Sequence, residues 1–378
     1  METTMQTEFF SRAVALNQNH GWVMVPIRIV RRIITVMALT FPQSLIADTA
    51  CPDYPAPVTL LEFGSPYRAD SENRNELDPE AKAAVEAALA PTDDFIRFLA
   101  RTHETKLEYL NAPIPDPVTA QLAQDCIVQA LLDWASVASL TNLVTFEANL
   151  TFGARLAGIA ITYGRIRDDI DDEVAKLIID SWLKSMAWRH VVFWEAQATR
   201  GARRGNLRAW SGLAFVTVGL AVGDESLVHL GAASSEFVLC TANSDGSLPQ
   251  EMIRGKYALH YQIHALTALV TTAAYLRHMT PEDLRRDMTL LCDGALGRAV
   301  EFALNDLESG EASLNHSGHV QNFFDGSGVV RPFMLAWLPA ARSLGLEPRF
   351  PSSLIEMENT YNSKLGGNQD QIWISNIE

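Results

Sequence analysis

The chain has 378 residues, 48% hydrophobic and 20% charged, an ordinary globular composition with apolar material for a sizeable core. Its formal net charge of -15 argues against a nucleic-acid partner, because a phosphate backbone is bound with Lys and Arg. A polyanionic ligand is not excluded, since the local field of a cleft counts there rather than the total.

At the N-terminus Arg28, Arg31 and Arg32 precede the apolar run IITVMALTFPQSLIA, Ile33 to Ala47, which ends in the small residues of ADTA. Residues 1–50 therefore read as an export signal with cleavage after Ala50, and Met24 is the more conventional start, leaving 1–23 as an upstream extension. The run is short and broken by Pro42, so no stable membrane insertion is expected and the mature protein should be periplasmic or secreted. Cys51 follows the cleavage point, but Asp48 stands where a lipid-anchoring box needs an apolar residue. The cysteines at 51, 126, 240 and 292 have no CxxC spacing and do not suggest zinc. In an oxidising compartment a Cys51–Cys126 disulfide would tie the mature N-terminus to a helix. For Cys240 and Cys292, isolated buried thiols are an equal alternative.

After a Pro-rich lead-in from Cys51 to Pro57, helical patterns dominate. Asp78-Pro79 is a cap followed by proline in the first turn. Further starts are expected near Thr92, Asp116, Thr145, Asp169, Arg204, Glu225, Gln250 and Thr280, then after Val330 and Pro351. Apolar residues recur at three- and four-residue spacing, as in Ile127, Ala130, Leu131 and Trp134. Connectors as short as GDES and PDP imply antiparallel neighbours. No repeat period supports a solenoid. The expected fold is all-α, an incomplete (α/α) toroid of antiparallel helical hairpins, forming one domain over 51–378 with a cleft at one end.

Four segments invite chemistry. FGSPYRADSENRNEL, Phe63 to Leu77, is polar and non-helical, and reads either as a solvated loop or as a lid carrying Tyr67 and Arg74. RDDIDDE, Arg167 to Glu173, contains the DDxxD pattern of magnesium–diphosphate enzymes, but its acids crowd a helix start where they complement the dipole. ATRGARRGNLRAWSGLA gathers Arg200, Arg203, Arg204 and Arg208, with Asn206 and Trp210 on one helix face. In RGKYALHYQIHAL, Arg254 to Leu266, helical geometry puts Arg254 within about 20° of Tyr261, and Tyr257 and His264 within roughly 60°, while His260 points elsewhere. His316 and His319 are a weak metal pair at best, so no metal and no cofactor are expected.

Together these segments resemble the alginate lyases of polysaccharide lyase family five. GSPYRADSENRNEL is similar to the family's S-K-Y-x-x-S-D-x-x-R-x-x-L, bringing Tyr67 and Arg74 into register. GNLRAW is similar to N-N-H-x-x-W, matching Asn206 and Trp210. DGSLPQEMIRGKYALHY resembles D-G-x-L-P-x-E-L-x-R-x-x-R-A-L-x-Y, matching Arg254 and Tyr261. The resemblance implies an incomplete (α/α) toroid and β-elimination on a 4-linked uronan. Asn206 and Arg254 would hold the uronate carboxylate while Tyr261 serves as base and acid, its phenol lowered towards ionisation by Arg254. Tyr67, Arg74, Arg208, Trp210 and Tyr257 would contact the substrate.

The chain departs from the motif at Leu207, where the family carries His, and at Tyr257, where it carries Arg. The lost imidazole favours a mannuronate- or glucuronate-type substrate, on which one tyrosine can serve both roles. His264, replacing a family tyrosine, would partly substitute for it. The expectation is an exported, monomeric lyase on mannuronate-rich alginate. The alternatives are a lyase on another acidic exopolysaccharide such as polyglucuronate, and a binding relative without catalysis.

Overall fold

The computed structural model describes residues 51–71, 73–346 and 360–373. The export signal and the helix expected after Pro351 lie outside them. Residues 51–378 form one compact unit, and the described part is a two-layered array of antiparallel helices, an incomplete (α/α) toroid.

Helix α1 (Pro79–Leu110) starts where Asp78 accepts from the amides of Glu80 and Ala81. It then runs through Pro91, so no helix begins at Thr92 as the sequence suggests. The apolar stripe explains this: Leu89, Phe95, Ile96 and Leu99 are buried on both sides of the proline. Phe95 also stacks on Trp134 at 3.8 Å between ring centroids. That packing offsets the local cost of an interior proline, about 3 kcal/mol. Helix α2 (Pro117–Ser136) pairs with α1 and is capped by Asp116. Cys126 on α2 is bonded to Cys51, as expected, and Cys240 and Cys292 are also bonded rather than isolated.

The short α3 (Phe146–Thr151) leads into α4 (Gly153–Ile166). Helix α4 packs on α1 and on α6 (Asn206–Val222), and α6 packs on α9 (Ala258–Ala274). These inner helices are apolar nearly all round, as befits helices enclosed by others. The outer layer has α2, α5 (Glu173–Ala196) and α7 (Glu225–Leu239), which lies against α6. The acids of RDDIDDE are structural. Asp172 caps α5, Asp169 accepts from Lys106 Nζ at 2.7 Å, and Arg167 pairs with Asp180 at 2.7 Å.

RGKYALHYQIHAL is not one helix. A single turn, α8 (Pro249–Met252), is followed by a break in which Gly255 takes φ +56°, a left-handed conformation that glycine adopts without strain. Helix α9 then starts at Ala258, so Arg254 belongs to the turn rather than to the face carrying Tyr261. No helix starts at Thr280 either. The chain passes through short 3-10 turns to α10 (Ala295–Asp306) and α11 (Glu311–Ser317), and after Val330 to α12 (Leu338–Ser343). Near the C-terminus β1 (Tyr361–Asn362) and β2 (Gly367–Asn368) form a small hairpin before α13 (Gln369–Trp373). It packs on α1 and α4.

Candidate active site

A cavity of about 560 Å³ opens where the segment after Phe63, the starts of α3, α6 and α9, and the C-terminal hairpin converge. Tyr67, Arg74, Asn206, Leu207, Arg254, Tyr261 and His264 line it. A second cavity of about 670 Å³ is lined by Tyr257, His260, Phe323 and Arg331, and it too reaches Tyr67 and Tyr261. These two phenols, which hydrogen-bond to each other, therefore stand between two chambers.

The segment carrying Tyr67 is closed on itself rather than free in solvent. Tyr67 and Leu77 form an isolated antiparallel bridge, and the Arg68 amide donates to Glu76 O at 2.9 Å. Arg254 Nη2 donates to Tyr67 Oη at 3.0 Å and to the Arg74 carbonyl at 2.6 Å, fastening the loop over the cavity. The Arg254 guanidinium also lies 3.9 Å from the Tyr261 ring centroid. Its Nε is buried without a partner, a donor left over for a ligand. Arg74 pairs with Glu147 at 2.5 Å.

Electrostatics here differ from the sequence expectation in one respect. Arg254 does favour the Tyr261 phenolate, but burial and the adjacent Tyr67 phenol push the other way and prevail. The phenol is held above its ordinary value. For Arg254, burial works against the charge, and the neighbouring phenols and Glu251 outweigh it, so the guanidinium stays firmly charged.

Asn206 opens α6 and is gripped by Glu251, a residue that motif reading passed over although it lies within DGSLPQE. Glu251 accepts from the Asn206 backbone amide at 2.6 Å and from Nδ2 at 2.7 Å. Burial pushes the Glu251 carboxyl up to about 7, against the pull of those bonds and of Arg254. With Nδ2 committed to the carboxylate, Asn206 Oδ1 faces His264 Nδ1 at 3.0 Å, so the ring donates from Nδ1. Burial, with the nearby His260, Lys364 and Arg254, lowers His264 to about 3, and the imidazole is neutral. It cannot supply a positive charge in place of the one missing at Leu207.

Two residues expected at the substrate stand elsewhere. Arg208 does not line the cavity; it is buried beneath Trp194, 5.3 Å from the ring centroid, and pairs with Glu195 at 3.0 Å. Two α-helical residue steps, about 200°, turn it away from the face bearing Asn206. Trp210 is buried behind His264, with 5.3 Å between ring centroids, and backs that ring rather than the cavity. Tyr257 lines the second chamber, together with His260, which the helical projection had pointed elsewhere. His316 bonds Asp245 at 2.6 Å, and among the described residues no cluster of His, Cys, Asp and Glu has the makings of a metal site.

Known proteins place the chain. The family model for alginate lyase matches residues 169–313, a span enclosing Asn206, Glu251, Arg254 and Tyr261. A polysaccharide lyase of Stenotrophomonas maltophilia (strain K279a) is 31% identical over 78% of this chain and 85% of its own length. An alginate lyase of Azotobacter vinelandii is 25% identical over 86% of this chain and 84% of its own. Among solved structures, a variant of alginate lyase A1-III complexed with a tetrasaccharide superposes with a TM-score of 0.68 at 19% identity, covering 88% of both chains. Alginate lyase A1-III from Sphingomonas species A1 gives 0.67 at 16% identity over 86% of each. Identity of that extent with the Stenotrophomonas enzyme, on a toroid shared with A1-III, means that the chain belongs to the alginate lyase family of polysaccharide lyases.

Proposed function

We propose that this protein is an exported lyase that cleaves 4-linked polyuronate, mannuronate-rich alginate above all, by β-elimination. The observation that carries the reading is the convergence of Asn206, Arg254 and Tyr261 in one cavity, with Tyr67 hydrogen-bonded to both Arg254 and Tyr261. The uronate carbon-5 proton is a weak acid because the attached carboxylate is already anionic. The unpartnered Arg254 Nε and the remaining Asn206 amide hydrogen would neutralise that carboxylate and stabilise the enolate-like charge. Tyr261 takes the carbon-5 proton, the carbon-4 to oxygen bond breaks, a carbon-4 to carbon-5 double bond forms, and the proton passes to the departing oxygen. The raised phenol makes its conjugate base stronger towards a carbon acid, and Arg254 over the ring reduces the cost of forming it. Since Tyr67 Oη sits against Tyr261 Oη, sugar entry requires the loop to yield that contact.

Leu207 offers no imidazole and burial makes the His264 ring a weak base, which leaves Tyr261 as base and acid on one face and supports mannuronate or glucuronate over their carbon-5 epimers. Two disulfides support export to an oxidising compartment. The test is incubation with polymannuronate, polyguluronate and polyglucuronate, following the ultraviolet absorbance of the new double bond. Polymannuronate should give the highest rate, and Tyr261→Phe should abolish turnover while retaining binding. Binding of uronans with no absorbance change on any of them would replace the lyase reading with that of a binding protein.

A further inference from the structure

The first cavity holds a cation that the elimination does not use. Lys364 lies in the turn between β1 and β2, and its side chain lines the chamber with Asn206, Leu207, Arg254 and His264. Its backbone is closely fixed. The Lys364 amide donates to Asn362 Oδ1 at 3.0 Å, and the Asn368 amide donates to Glu104 Oε1 of α1 at 2.7 Å. Gly158 of α4 allows the turn to sit so deep, since a Cβ there would meet Ser363 O at 3.0 Å and Lys364 Cα at 3.1 Å. Such a seat is costly to build for an incidental surface lysine.

The ammonium has no settled partner. Lys364 as a residue is partly exposed, and its ammonium makes no hydrogen bond or ion pair among the described residues. The nearby acid, Asp93, gives Oδ2 to Arg155 at 2.9 Å and keeps Oδ1 buried without a hydrogen bond, so its charge favours the charged lysine from a distance while Arg155 repels it. Burial and that arginine pull the Lys364 amine down to about 8, with Asp93 opposing. Of the other cations of this chamber, Arg74 is paired with Glu147 and Arg155 with Asp93, and Arg254 is held through Nη2 by Tyr67 and the Arg74 carbonyl with only its Nε left over. Leu207, beside Asn206, offers no side-chain donor.

We propose that Lys364 is a specificity-determining residue that binds a carboxylate of the acidic sugar chain lodged on the Asn206 side of Tyr261. This rests on the polyuronate reading and adds a recognition point from a different part of the chain than the matched motifs. A charged hydrogen bond in a partly desolvated chamber discriminates an acidic from a neutral sugar without touching the reacting carbon.

The test measures polymannuronate kinetics by absorbance for the wild type, Lys364→Met and Lys364→Arg. KM should rise by about tenfold in Lys364→Met with kcat within about twofold, and Lys364→Arg should recover most of the affinity, as expected for loss and return of one charge-assisted bond. Unchanged KM in Lys364→Met, or a fall confined to kcat, overturns the proposal. A second measurement leaves Lys364 in place: amine acylation of Tyr261→Phe, read by peptide mass spectrometry with and without saturating polymannuronate. Lys364 should be protected by the polymer, and equal labelling would also overturn the assignment. An active wild type with an indifferent Lys364 removes this inference alone. A wild type that neither turns over nor binds any of the three uronans removes the polyuronate reading and this inference together.

Discussion

Glu251→Gln probes how the site is held. In the wild type the folded-state carboxyl titrates near 7 against an ordinary 4.5, because burial outweighs its two bonds from Asn206. A raised acid stabilises the fold below its unfolded pKa, and that contribution is lost as pH climbs through the folded value. Between about 4.5 and 7 the native state binds more protons than the unfolded one, so stability falls as pH rises. Integrated over the window, this group's contribution changes by on the order of 3 kcal/mol. The glutamine amide cannot ionise, so the variant lacks this slope. It also presents an NH2 where Glu251 offered an acceptor to Asn206, with a penalty of about 1–3 kcal/mol for the unmatched donor. Urea unfolding at pH 5, 6, 7 and 8 should show the variant less stable at pH 5 and the gap narrowing or reversing by pH 8. At every pH the variant should lose activity, because Asn206 is no longer oriented. Parallel stability curves for the two proteins across this range would refute the assigned environment of Glu251.

Two further substitutions separate neighbours with different jobs. Arg208→Met should leave KM for polymannuronate within about twofold while lowering stability on the order of 2 kcal/mol, since its guanidinium serves Glu195 rather than the cavity; a large KM increase would return Arg208 to the substrate. His264→Ala should lower kcat about tenfold through loosened Asn206, yet leave the acid limb of the pH–rate profile where it was, because an imidazole at about 3 does not titrate between pH 5 and 8. A limb at about 6.5, the ordinary imidazole value, that disappears in this variant would show that His264 titrates during turnover.

What the sequence makes legible follows from the range of the forces involved. Helix starts set by a cap and its own first turn, at Asp78, Asp116 and Thr145, are local and are found in place. Pro91 and Thr280 mislead because tertiary packing decides them: the stripe from Leu89 to Leu99 carries a helix past a proline, whereas TPEDL has no comparable stripe and stays in turns. The pairing of Asn206, Arg254 and Tyr261 is visible through spaced motifs, but the angular argument for Arg254 is not the real one. Gly255 interrupts the helix, and Arg254 reaches the Tyr261 ring from a turn. Glu251 stands at a matched motif position whose role the sequence does not reveal, and Lys364 is invisible as a site residue in one dimension. Glu251 looks like an ordinary first-turn acid, and Lys364 reaches the chamber only because a glycine on α4 admits a hairpin from the other end of the chain.

The acidity of the chain and an anionic substrate are reconciled inside the cavity. Of the charged side chains lining it, Arg74 is cancelled by Glu147, and Arg155 is cancelled by Asp93 just behind the wall. That leaves Arg254 and Lys364 against Glu251, whose carboxyl is protonated up to about 7 by its burial. The net field of the chamber is therefore positive, although the whole chain carries a formal charge of -15. Low-dielectric walls strengthen that field at short range, while the distant surface acids are screened beyond a Debye length of about 8 Å. The negative surface opposes indiscriminate polyanion binding, and a uronan gains only where its carboxylates reach these two cations. Selectivity for an acidic polymer thus comes from which ion pairs are closed and which are left open.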